Sequence, residues 1–437
     1  MSDLAPTVTA TASLPEAAAS VVQAAAPQTG NQITATTGTW QGASNSGYGY
    51  QWLRCNALGA ACSSIGGATS ATYTISPVST SDAGTYDVVV TSSTNASVTS
   101  TSATLTVSVT SSSLSTLNNN VVAAAQAFLA TLSTSQQSTV QLSYSLATAR
   151  HWSNLPAAMV SRNGVSWGAL STAQKTAART LISTALSSDG NSLHIGMQAA
   201  DDKLVSGYNA SSSTYGNGNY YIAFLGTPST SSFWMLQLTG HHLTYNLAFN
   251  GSYASATPMF LGIEPKDGFT LNGVSYDPMS AQRTAVASLA SSIGSYSAAK
   301  LSGSYSDLLF GANGTGGIDG TLPKSYPSGT SGRGVLYSAL SSTDQAKVIA
   351  VIKAYVNTQA GAMADDLLGA YLGDSALAAT YVAYAGSTSL STQGAYFRVD
   401  GPRVWIEFSV QNGVIISGDV HFHTIWRDKS GDYGGMF

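Results

Sequence analysis

The chain has 437 residues, more than one ordinary hydrophobic core organises, so two domains are expected. Charged residues make up only 9% and the net charge is −4, against about 25% charged in a typical soluble protein. That balance gives no basic surface for nucleic acid or an anionic membrane, and no apolar run is long enough to span a bilayer.

The start, Met1 to Ala5, has neither a basic segment nor an apolar one. The uncharged Ser/Thr/Ala/Gly texture is nonetheless that of an exported protein, and the chain reads as a mature form after leader removal, secreted, at the cell surface or periplasmic. Residues 1–27 are Ala/Thr/Pro-rich and read as a flexible lead-in or a first edge strand. From 28 to 109 short alternating strands are separated by turn signals: Gln32–Ala35, Tyr48–Arg54, Thr72–Ile75, Tyr86–Val90 and Ala103–Val107. Such spacing predicts an all-β sandwich. Cys55 and Cys62 flank a loop-like hexapeptide, and a disulfide pinning a hairpin is expected there, which requires an oxidising compartment.

Thr110–Ser113 reads as a linker into a larger domain, 115–437. Helical spacing of apolar residues predicts helices over Asn120–Leu132, Thr139–Ala147, Thr172–Ser187, Asp277–Ile293 and Asp344–Leu368. Strands are predicted at Tyr220–Phe224 and Phe233–Leu238. The end reads as a hairpin of Arg403–Val410 and Val414–Trp426 around Gln411-Asn412-Gly413. Helices and strands in separate blocks give an α+β fold with an antiparallel sheet. No internal repeat is evident.

Four of six histidines fall in two pairs, His241-His242 and His421-Phe422-His423, both in segments that read as strand. His421 and His423 then share a face, whereas His241 and His242 point to opposite faces, so one of the latter is available to any one site. Two imidazoles from one strand and one from another make a three-nitrogen metal site with an open position, suited to copper or zinc. The competing reading is four structural histidines. His151 and His194 read as bystanders, and Asp201-Asp202 and Asp365-Asp366 as solvated faces. Gly311–Gly317 reads as a flexible loop without the features of a phosphate cradle. No Gly-x-Ser-x-Gly elbow is present.

Glutamate is scarce: Glu16, Glu264 and Glu407 are all there are. Glu264 follows the first histidine pair, and Glu407 sits mid-strand among large apolar residues, where a carboxylate needs a partner. Both are candidate bases, with Arg403 as a candidate partner in the site. A strict two-residue Asn412-Gly413 turn puts Glu407 on the face opposite His421 and His423; a bulge at Gly418 brings it to theirs.

Tyr48–Cys55 and Asp82–Val88, with Trp52 as a core tryptophan and a tyrosine-corner-like Tyr86, resemble bacterial immunoglobulin-like surface modules. The resemblance implies a spacer or binding module. In the large domain, Tyr215–Tyr221, Leu225–Pro228, Gly240–Asn246, Thr257–Pro265, Gly401–Glu407, His421–Asp428 and Asp432–Gly434 resemble, in this order, the bacterial and fungal family catalogued as domain of unknown function 3500 (DUF3500). That resemblance implies membership and no reaction. Together these readings lead us to expect an exported metalloprotein, a copper oxidoreductase slightly ahead of a zinc hydrolase. Its partner would be an extracellular small molecule or polymer; low charge and 22 tyrosines suit carbohydrate. The alternative is a non-catalytic surface binding or adhesion protein.

Overall fold

The computed structural model divides the chain into two compact units, 1–109 and 110–437. It describes residues 20–21, 33–36, 48–55, 62–75, 82, 84–91, 97–100 and 103–105 of the first, and 111–303, 305, 307–309 and 326–435 of the second. The Gly311–Gly317 loop and most of the 1–27 lead-in lie outside the described residues.

The described part of the first unit is all β. Ser20–Val21, Ile33–Thr36 and Thr72–Ile75 form one sheet; Ser63–Ser64, Gly49–Cys55, Gly84–Thr91, Ser97–Thr99 and Ala103–Leu105 form another. Trp52 is fully buried against Val88 and Val90. The Tyr86 hydroxyl donates to the Asp82 carbonyl at 2.7 Å. Cys55 and Cys62 are joined as a disulfide.

The second unit mixes helices with one large sheet of twelve strands among the described residues. Ten of its strands form the main path: β1 (Val165–Ser166), β2 (Tyr221–Leu225), β3 (Trp234–Gly240), β4 (Leu243–Asn250), β5 (Met259–Ile263), β6 (Val335–Leu336), β7 (Tyr381–Ala385), β8 (Tyr396–Asp400), β9 (Val404–Asn412) and β10 (Val420–Asp428). Their order is β1-β2-β3-β4-β5-β10-β9-β8-β7-β6, with every neighbouring pair antiparallel. Helices α1 (Ser111–Thr131), α2 (Thr172–Ala185), α3 (Ser188–Tyr208), α4 (Ser280–Ile293), α5 (Ser342–Val356) and α6 (Gly361–Leu372) accompany it.

The helical spacing read from sequence is corrected in several places. Thr139–Ala147 is not one helix but the ends of two short ones, Thr134–Val140 and Leu146–Ala149, with an extended break between. Asp344–Leu368 splits into α5 and α6 at Asn357–Ala360. The long α3 was absent from the sequence reading; its interior glycines Gly190 and Gly196 obscure the pattern, yet both sit where the helix meets its neighbours. A Cβ on Gly190 would lie 1.9 Å from the Thr358 carbonyl oxygen, and one on Gly196 2.7 Å from Pro278.

The chain path also repeats, which the sequence reading missed. β1, a 3-10 turn, α2, α3 and β2–β5 are followed by β6, a 3-10 turn, α5, α6 and β7–β10 in the same order. The halves share details. Gly164 and Gly334 both have positive φ (85° and 105°), and a Cβ on either would strike the next strand, 2.0 Å from Ile222 O and 2.2 Å from Val382 O. Ser171 and Ser341 cap α2 and α5. Gly262 N–H donates to His242 O at 2.8 Å, and Lys429 N–H donates to Arg403 O at 2.8 Å. The equal registers of β4 on β5 and β9 on β10 place a local twofold axis at the Met259–Trp426 pair.

Alternation assigns the faces. Leu243, Tyr245, Met259, Leu261, Val404, Ile406, Phe422 and Trp426 belong to the main core with the helices. Phe260 and Ile425 point the other way, into a second core with Ala149, Trp152, Leu308 and Tyr433.

Candidate metal centre

His421 and His423 leave β10 on the Ile425 face, as their spacing predicts. The first pair is not in a strand. His241 and His242 are the two turn residues between β3 and β4. His242 has φ 59°, a left-handed conformation that costs a non-glycine residue about 1 kcal/mol or more and that Gly or Asn fills most easily. A histidine there points to a need for its ring.

The ring reaches the two β10 histidines across β5. His242 Nε2 lies 3.2 Å from His423 Nε2, which lies 3.1 Å from His421 Nε2. Three nitrogens bound to one ion at tetrahedral angles stand about 3.3 Å apart. The Nε2 of His423 carries one proton or one lone pair, so it cannot satisfy both neighbours by hydrogen bonding; a central cation satisfies all three lone pairs. All three rings are buried. Burial, followed by the neighbouring His241, His423 and His421, holds His242 well below the usual histidine range. Burial and His423 bring His421 down to about 3, with the Asn412 carbonyl acting in the opposite sense. Both are therefore neutral at pH 7, the form that ligates.

Gly262, opposite His423 in the β5–β10 ladder, makes room for the rings. A Cβ there would stand 2.9 Å from His242 Cγ and 2.9 Å from His423 Cδ2. The turn itself is anchored from several directions. His242 N–H donates to Asn154 O, and Tyr220 Oη donates to His241 O at 3.0 Å. The buried Arg162 guanidinium reaches Ser153 O at 2.7 Å and Gly240 O at 3.3 Å.

His241 is not in the ligand cluster. Its ring stacks on His242 with centroids 3.8 Å apart, and its Nδ1 lies 2.8 Å from Asp201 Oδ1. Asp201, read from sequence as solvated, is buried on α3; a tandem Asp-Asp looks like surface, and only Asp202, held by Asn217, behaves so. Tyr215 approaches the His241 ring edge-on at 5.0 Å. Asp201, Gly262, Gln411 and Asp307 were all missed by sequence reasoning; only Gly262, a glycine inside a strand pattern, carried a signal.

The hairpin register departs from both sequence alternatives. Asn412-Gly413 does not close a two-residue turn: β9 runs to Asn412, β10 begins at Val420, and Gln411 pairs with His421. The intervening loop puts Glu407 on the same face as the two histidines, as the bulged alternative had it, but by another route. Glu407 nonetheless makes its bonds elsewhere, accepting from Leu309 N–H (2.6 Å), Tyr396 Oη (2.7 Å) and Trp405 Nε1 (2.8 Å). Glu264 organises the loop instead, accepting from Ile416 N–H at 2.7 Å and Ile415 N–H at 3.0 Å. Arg403 pairs with Asp428 through Nη2 (2.5 Å) and Nε (3.2 Å). The structure thus brings His242, His421 and His423 together, with His241 beside them, and engages Glu264, Glu407 and Arg403 in other bonds. His194 is buried against Arg179, and His151 contacts Ser161.

No helix among the described residues is long and apolar enough to cross a membrane. No curated protein and no solved structure matches the chain. A family model described as "Protein of unknown function (DUF3500)" matches residues 115–435, the span that holds the whole sheet and every histidine above, and the chain belongs to that family.

Proposed function

We propose that the large domain binds one copper or zinc ion through His242, His421 and His423 and carries out metal-dependent chemistry on an extracellular substrate. The observation that carries this reading is the convergence of three buried Nε2 atoms, with 3.1 and 3.2 Å separations, around a point no proton can serve. A bound ion supplies Lewis acidity or redox chemistry at the position that three nitrogen ligands leave open. Copper at these histidines would suit oxidoreductase chemistry and zinc would suit hydrolysis. In either case the chain's own residues do the rest. Asp201 accepts the Nδ1 proton of His241, which leaves the His241 Nε2 as an acceptor beside His242, where it can take a proton from a bound molecule. All four rings are buried.

The N-terminal unit is read as an immunoglobulin-like spacer or binding module, supported by buried Trp52 and the Tyr86–Asp82 hydrogen bond. The disulfide supports export to an oxidising compartment.

The test is elemental analysis of the full chain purified without a histidine tag. We expect about one equivalent of copper or zinc, lost from His242→Ala, His421→Ala and His423→Ala proteins that still fold. Folded wild-type protein that takes up neither ion would leave the histidines structural and favour the binding-protein alternative.

A further inference from the structure

We propose that Glu407 is a positioning residue that seats Tyr305 and residues 307–309 so that Asp307 orients His423 toward the ion. The inference rests on the metal site above. Glu407 is fully buried in the middle of β9, where a carboxylate is costly unless donors surround it. Its donors are informative. Trp405 Nε1 comes from its own strand, but Leu309 N–H comes from a distant segment. The third donor, Tyr396 Oη, belongs to a ring that stacks face to face on Tyr305, centroids 4.4 Å apart. Glu407 therefore holds the same segment at both ends, directly at Leu309 and through Tyr396 at Tyr305. Burial, and then the Glu407 charge, keep the Tyr396 hydroxyl well above its usual range, so it remains a donor.

Between those two anchors stands Asp307. Its Oδ1 lies 3.4 Å from His423 Nδ1, at the outer edge of hydrogen-bonding distance. Gln411 Nε2 is 2.9 Å from the same nitrogen; only with the amide turned over does its oxygen face Nδ1 and accept the proton there. A proton on Nδ1 leaves the lone pair on Nε2, the atom that faces His242 and His421. A mid-strand glutamate thus reaches the centre through a backbone N–H, a tyrosine pair and an aspartate.

Leu309 offers a clean handle, because its side chain is 45% exposed and its N–H makes the bond to Glu407. In the full chain, Leu309→Pro removes that donor at a residue outside the sheet, and Leu309→Ala keeps it. Cobalt(II) is the probe, read by its visible absorption and by competition with a chelator. We expect Leu309→Pro and Asp307→Ala each to weaken cobalt binding about 10–100-fold and to alter the absorption band alike. The double variant should lose little more than either alone, because both act through one contact, and Leu309→Ala should match wild type. Additive losses, or wild-type binding and spectrum in Leu309→Pro, would overturn the proposal and leave the metal site standing. Wild-type protein that binds no cobalt would remove the metal reading itself, and this proposal with it.

Discussion

In the first half of the large sheet, the turn between β3 and β4 carries His241 and His242; in the second half, the turn between β8 and β9 carries Pro402 and Arg403. The chain arrives by the same path in both, after the same strand, cap and helix pair. It makes the same backbone bond, from Gly262 to His242 and from Lys429 to Arg403. The side chains then part. His242 leans over a glycine toward two histidines, while Arg403 turns to Asp428, which also accepts from Tyr371. The central strands differ as well: β10 has nine residues and β5 five, so that His423 pairs with Gly262 while His421 lies beyond the end of β5. The comparison teaches that the repeated path is scaffold. The histidine cluster lies on one side of the axis, where a turn of the first half meets the last strand of the second.

The largest effect should separate the two turns. His242→Ala should abolish metal uptake while the protein still folds, since the turn's backbone bonds stay in place. Arg403→Ala should spare the metal and lower stability. It leaves Asp428 buried without its cation, which costs several kcal/mol in the interior and about 2 kcal/mol here, where the arginine is partly exposed. Metal content by elemental analysis and urea midpoints together check this; loss of metal from Arg403→Ala would mean that the halves do not divide the labour.

Next comes a pair that should behave alike. Gly164→Ala and Gly334→Ala each force a Cβ into the carbonyl of the neighbouring strand at positive φ. Each should cost about 3 kcal/mol. Thermal denaturation of the two variants checks the equality, and a tolerant Gly334 would show that the second half is looser than its geometry. Gly262→Ala should fall between these classes. Its Cβ meets two imidazoles rather than backbone, so cobalt affinity should drop about 10-fold or more while the melting temperature moves little. Lys429, its counterpart across the axis, already carries a long side chain, paired with Asp400.

Part of this was legible in advance. His421 and His423 could be placed on one face because a strand's period of two is strict, and the DUF3500 motifs marked the domain. The first histidine pair was misread because a two-residue turn between two apolar strands looks like continuous strand when its residues are histidines rather than Asn-Gly. The repeat was hidden because what recurs is sparse: Gly-Val, an aromatic and Ala-Leu-Ser at 164–171 and 334–341, then Tyr, Ala and Gly around β2 and β7. These are the positions where backbone meets backbone, while the faces between them have diverged. Scarcity singled out Glu264 and Glu407, and the fold buries both carboxylates among N–H donors. Scarcity could not distinguish a base from an anchor, because that depends on which N–H groups the fold delivers to each carboxylate.

The smallest expected difference lies at the helix caps. Ser171 and Ser341 each accept from the N–H three residues on, Gln174 and Asp344, and Ser171→Ala should cost about 1 kcal/mol. Ser341→Ala should cost somewhat more, because Ser341 Oγ also donates to the Asp344 carboxylate at 2.8 Å. Burial alone would raise that carboxyl, but hydrogen bonds from Ser292, Tyr296, Lys347 and Ser341 outweigh it and hold Asp344 below the usual carboxylate range. A carboxyl depressed in the folded state stabilises above its unfolded value, about 4, and that contribution is lost as pH falls through the folded one. The Ser341 cap should therefore weaken only in acid well below about pH 4, where folded Asp344 takes up its proton, whereas the Ser171 cap, with the uncharged Gln174 in the matching place, should not. Stability of the two serine variants relative to wild type, followed from pH 7 down into acid strong enough to protonate Asp344 in the folded protein, checks the sign. The extra cost of Ser341→Ala should shrink at the lower pH. An extra cost that persists in acid would place it in cap geometry rather than in the Asp344 charge.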